Sequence, residues 1–168
     1  AVEVAADLER PEAVPALVDA LQSEDPLLRA RAARALGRLT NHRFDVAWAR
    51  SDLTQDDRER GVEAWRGWFS ENRRRSRDQW LTRGFRARGY EVGRIRIDNA
   101  WELVRAVKDD DHLTYNAQRV LMRLTDHRPR SLHWSRSDAC WHWTRWIDRR
   151  HRKLRLPQAP PALADCNR

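Results

Sequence analysis

Arg34-Ala-Leu-Gly-Arg-Leu-Thr40-Asn41-His42-Arg43 and Arg119-Val-Leu-Met-Arg-Leu-Thr125-Asp126-His127-Arg128 are one pattern written twice, at an offset of 85. A repeat of this kind decides the architecture, because each copy is a unit unable to cover its own apolar face. The match widens in both directions. Upstream, Leu17-Val18-Asp19-Ala20 pairs with Leu103-Val104-Arg105-Ala106, and Asp25 with Asp111, at an offset of 86. Downstream, Trp48-Ala-Arg50-Ser51-Asp52 pairs with Trp134-Ser-Arg136-Ser137-Asp138 at 86, and Trp65-Arg-Gly-Trp68-Phe69 with Trp143-Thr-Arg-Trp146-Ile147 at 78. The drop in offset means that the second copy has the shorter loop.

The periodicity inside each copy is helical. Pro11 to Gln22 places Val14, Leu17, Val18 and Leu21 on one face, with Pro15 early in the helix, a residue tolerable only in a first turn. Pro26 opens a second helix with Leu28, Ala32, Ala35, Leu36 and Leu39 as its stripe, and Asn41 follows where a left-handed residue is wanted. After a polar loop, a third helix carries Val62, Trp65, Trp68 and Phe69. Ser76 caps a fourth, which Gly89 stops. Copy two repeats the scheme, with caps expected at Asp98 and Ser137.

At Asp25-Pro-Leu-Leu-Arg29-Ala-Arg-Ala-Ala-Arg-Ala-Leu36-Gly37-Arg-Leu39 the sequence resembles the turn and second helix of a bacterial HEAT repeat, of the kind also seen in phycobilin lyases. The resemblance covers about residues 13–40 well and 99–125 weakly. It implies an all-α fold, a short right-handed α-solenoid that binds partners, usually proteins. It also implies that Asp25 helps fix the inter-helix turn and that Arg29 belongs to a polar ladder. Asp111 takes the place of Asp25 in copy two, where Thr114 stands for Arg29. The Trp-bearing helix lies outside the two-helix repeat and reads as an addition that closes each unit. The expected organisation is unit one over 1–75, a connecting helix over 76–89, unit two over 90–156 and an extended Pro-containing tail over 157–168. Because Glu3-Val4 resembles Glu91-Val92, copy one is expected to lack the helix that precedes copy two.

Charge points to an acidic partner. The net charge is +8, but residues 1–30 carry seven acids against two Arg, whereas residues 31–168 carry 18 acids against 31 cations. A basic body of this kind suits an acidic protein face or nucleic acid. Two cysteines, Cys140 and Cys166, are too few for a disulfide framework, and without a CxxC there is no zinc knuckle or haem attachment. Whether the two pair is left open by the sequence. No membrane span is present. The chain begins at Ala1, so cytoplasmic and processed, periplasmic locations both stand.

Nine Trp residues are available for a core or for contacts. Trp65, Trp68, Trp143 and Trp146 sit at i, i+3 spacing in both copies and are read as core. Trp141 lies about 200° round the helix from Trp143, which makes it the first candidate for a partner contact. The Arg clusters Arg73, Arg74, Arg75, Arg77 and Arg149, Arg150, Arg152 each follow a Trp-bearing helix and complete the candidate partner surface. No nucleophile elbow, P-loop, dinucleotide fingerprint or zinc-protease helix occurs, so no catalytic residue, cofactor or metal is expected. The reading is a non-enzymatic scaffold subunit that binds protein. The alternative is a nucleic-acid-binding array; a lyase-like or glycosylase-like enzyme is weaker, having no residues to name.

Overall fold

The computed structural model describes residues 10–129 and 135–167. All regular structure among them is helical, in the manner of a short HEAT-like α-solenoid. The chain divides into two compact units, Ala1–Gly84 and Phe85–Arg168. The helix expected to connect them over 76–89 is shared between the two.

In the first unit, Pro11–Ala13 form a 3-10 turn that leads into α1 (Val14–Ala20), with Pro15 in the first turn. Helix α2 (Pro26–Thr40) starts on Asp25, whose carboxylate accepts the Leu27 N–H at 2.8 Å. Helix α3 (Gln55–Asn72) starts on Thr54, which accepts from Asp57 N–H. Helix α4 (Arg77–Ala87) starts on a reciprocal cap: Ser76 Oγ accepts from Gln79 N–H, and Gln79 Oε1 from Ser76 N–H. Val14, Leu17, Leu21, Leu36, Leu39, Val62, Trp65 and Trp80 interdigitate as one core.

The second unit repeats the plan. A 3-10 turn, Ile97–Asn99, takes the place of the expected Asp98 cap and runs into α5 (Ala100–Asp109). Helices α6 (Asp111–Thr125), α7 (Arg136–Asp148) and the short α8 (His151–Leu154) follow. Leu103, Val104, Val107, Leu113, Leu121, Trp143 and Ile147 are fully buried.

Three sequence expectations need correction. Asp110, not Asp111, occupies the capping position of Asp25: its carboxylate accepts from His112 N–H at 2.9 Å and Leu113 N–H at 3.2 Å. Asp111 instead stands at the surface, paired with Arg136 at 2.6 Å. Helix α7 is capped by Ser135, two residues earlier than the expected Ser137, with Ser135 Oγ accepting from Asp138 N–H. Its counterpart in unit one is therefore Thr54 with Asp57, and Arg50-Ser51-Asp52 belong to the preceding turn. The tail is not extended. Pro161–Asn167 form 3-10 turns packed on α7, with Leu163 and Cys166 buried and Cys166 joined to Cys140 by a disulfide (Cα–Cα 5.6 Å). An apolar Leu and a buried half-cystine outweigh the Pro content that reads as extended chain. Trp134 and the expected start of copy one fall outside the described residues.

The duplicated pattern is a corner. Thr40 Oγ1 donates to Leu36 O at 2.7 Å and accepts from His42 N–H at 3.0 Å, while Asn41 turns left-handed at φ 56°. Thr125, Asp126 (φ 51°) and His127 do the same one copy later. Each corner aims an imidazole at the third helix. His42 stacks on Trp68 (5.2 Å, 13°) and meets Trp65 edge-on; His127 stacks on Trp146 (4.5 Å, 15°) and meets Trp143 edge-on. The corner thus joins the helix pair to the added Trp helix.

Candidate protein-docking surface

Helix α7 has two opposite stripes. Cys140, Trp143, Thr144 and Ile147 are buried. Trp141, Arg145, Asp148 and Arg149, spaced at four and three, face outward. Trp141 is 41% exposed, one of two large hydrophobic side chains left so open among the described residues. The Arg145 guanidinium lies 5.3 Å over its ring, so the indole face carries a cation rather than bare apolar surface. Neither Arg145 nor Arg149 forms an ion pair among the described residues. These side chains, with Thr144 at the floor and Ala159 from the tail, line a groove of about 310 Å³.

The tail wall of this groove is held at three places. Besides the disulfide, Trp101 Nε1 donates to Pro157 O at 3.0 Å and Lys108 Nζ to Ala162 O at 2.7 Å. Beside the groove, Arg150 lies 4.4 Å over the Trp146 ring. On α7 and the preceding corner, His142 and His127 bring Nε2 atoms to 2.8 Å with ring planes 12° apart. Separate parallel layers stand further apart than that, so the rings lie side by side and one N–H donates to the other ring's bare nitrogen. Burial, and then the charge of Arg150, lowers the His127 pKa. Burial, and then His127, pushes His142 down to about 4. This hydrogen-bonded pair is thereby held neutral.

The remaining expected site residues are placed as follows. Arg73, Arg74 and Arg75 are exposed in the turn after α3 and form no ion pair among the described residues. Arg77 is half-buried and donates to Arg38 O, which removes it from that set. Arg152 is exposed on α8. Trp65 and Trp143 are fully buried, while Trp68 and Trp146 are half-buried under their histidines.

Arg29 is 2% exposed, and among the described residues it faces no carboxylate. Its guanidinium donates to Ser23 O (2.8 Å), Glu24 O (2.9 Å), Trp48 O (3.2 Å) and Arg50 O (2.6 Å). One side chain therefore ties the α1–α2 turn to the loop before α3, and Trp48 is buried by the same device. Thr114 in copy two bonds, among the described residues, to Val107 O and Asp110 O. Asp110 itself is held by Arg88 at 2.7 Å. Burial alone would raise its pKa, but Arg88 and the two amide N–H groups outweigh that and lower it.

Sequence reasoning missed Arg145 and the tail wall. Arg145 was legible as the residue one turn beyond Trp141. The wall was signalled only by the spacing of Cys140 and Cys166, which could not reveal a pairing. Among the described residues, no cluster of three or more His, Cys, Asp or Glu side chains could hold a metal, and no helix is long and apolar enough to cross a membrane.

Residues 1–65 match the family model of HEAT repeats. No curated protein and no solved structure matches the chain. HEAT repeats generally mediate protein–protein interaction. The helix pair of α1 and α2 lies inside the matched segment, so residues 1–65 of this chain are a HEAT-repeat segment.

Proposed function

We propose that the chain is a non-enzymatic scaffold subunit that docks onto another protein through the outward stripe of α7. The observation that carries this is Trp141 standing exposed on one stripe with Arg145 and Arg149, cations with no acid partner of their own among the described residues. Trp and Arg dominate interface energetics because they combine large contact area with directional bonding. A photo-crosslinking side chain placed at position 141, and separately at exposed position 71, tests the reading in extract from the source. One protein adduct from 141, absent from 71 and displaced by excess unmodified chain, is the expected result. Equal labelling from both positions would sink it.

A second reading rests on Arg73, Arg74 and Arg75, which stand together in the open without ion pairs among the described residues. Such a turn can neutralise phosphates of nucleic acid. Affinity for random duplex DNA should then fall steeply with salt. Absence of binding at low salt removes this reading.

A further inference from the structure

We infer that the groove between α7 and the disulfide-held tail takes an acidic peptide segment of a protein partner, with a carboxylate bridging Arg145 and Arg149 and an apolar side chain on Trp141. The inference rests on the docking role of α7 proposed above and names the chemistry of the occupant. Charge complementarity selects it. The two guanidiniums are exposed and unneutralised among the described residues, and Arg145 is already oriented by its seat on the indole. Asp148 is the one acid lining the groove among the described residues. Arg150, Arg152, Lys153 and Arg155 follow it directly in sequence and are all exposed. Oriented guanidiniums bind carboxylates bidentately, with little ordering left to do on binding.

The second wall distinguishes a shaped site from a basic surface. Ala159 reaches the groove because the tail is fixed by Cys140–Cys166, by Trp101 on Pro157 O and by Lys108 on Ala162 O. A flat polyelectrolyte surface would need none of these. An extended segment laid between a helix and a fixed wall does.

The test uses the full chain and a short fluorescein-labelled peptide of alternating glutamate and leucine, read by anisotropy. Trp141→Ala and the double variant Arg145→Ala with Arg149→Ala should each weaken binding about tenfold, the loss expected for a charge-assisted or aromatic contact. Cys166→Ser should weaken it several-fold by freeing the wall. The charge-matched control Arg34→Ala with Arg43→Ala, both exposed in unit one, should leave affinity within about twofold. Melting curves for every variant separate lost binding from lost folding. Equal losses in the control, no loss in Cys166→Ser, or displacement of the peptide by an oligonucleotide of equal charge would each overturn the groove as a peptide site. A site-specific adduct from position 141 together with no peptide binding would overturn the acidic occupant alone and leave the docking role standing.

Discussion

Two residues show what single side chains settle here. Arg29 sits in the buried stripe of α2 beside Ala32, Ala35, Leu36 and Leu39, where a cation costs free energy unless each donor is met. Four carbonyls meet it. Arg29→Ala leaves them without a protein donor and should cost about 3–5 kcal/mol in urea unfolding. Arg29→Lys should recover less than half of that, because an ammonium cannot span the same fork. Asn41 and Asp126 share a left-handed conformation but not an environment. Asn41 is buried and donates its amide to Leu81 O at 3.0 Å, whereas Asp126 is exposed. Asn41→Asp should therefore cost about 2–4 kcal/mol, through a buried charge and a lost donor. Asp126→Asn should stay within about 0.5 kcal/mol, and thermal melting of the two variants compares them. The left-handed corner was legible in the sequence from residue type. Which of Asp109, Asp110 and Asp111 caps α6 was not, because three adjacent carboxylates offer three registers and packing of Leu113 chooses between them.

At the scale of elements, helix faces were legible and their edges less so. The i, i+3 Trp pairs predicted the buried side of α3 and α7, since apolar periodicity is a property of the whole segment. Helix starts depend on one hydroxyl finding one amide, and Ser135 and Ser137 differ by two residues in a stretch that offers both hydroxyls. The tail was misread because its Pro content is local, while its order comes from a bond to a residue 26 positions away. Close approach of elements was equally invisible. Gly84 of α4 lies so near the corner that an added Cβ would stand 2.5 Å from Asn41 O and 2.2 Å from Asn41 Cβ. Backbone cannot swing aside as a side chain can. Gly84→Ala should cost about 2–3 kcal/mol by melting, while Gly67→Ala, with open space around it, should be neutral or stabilising by up to about 1 kcal/mol.

Across the whole molecule, the copies share a plan and differ in what they respond to. Ala64 precedes Trp65 where His142 precedes Trp143, so only the second unit has the coupled imidazole pair. The folded pKa of His142 is about 4, against an ordinary value near 6.5. As pH falls, the unfolded chain takes up this proton first. The contribution of this group to stability is then untouched above about 6.5, declines from there toward 4 and levels off below. Hydrogen exchange at pH 7.5 and pH 5 should show the protection loss concentrated in α6 and α7, and His142→Ala should flatten that pH dependence; an unchanged slope in His142→Ala would count against the pair. The duplication was readable at this scale because it spans the chain, but its divergence was not. The Arg29 joint gives that divergence a wider meaning. Among the described residues it bonds to carbonyl oxygens, with no carboxylate, imidazole or thiol among its acceptors, so neither acidity nor redox state has a handle on that set of bonds. The second unit replaced it with a threonine and acquired a histidine pair and a disulfide. Duplication followed by such a trade leaves the first unit with a joint that neither acidity nor redox state reaches, and gives the second a protonatable pair and a reducible bond.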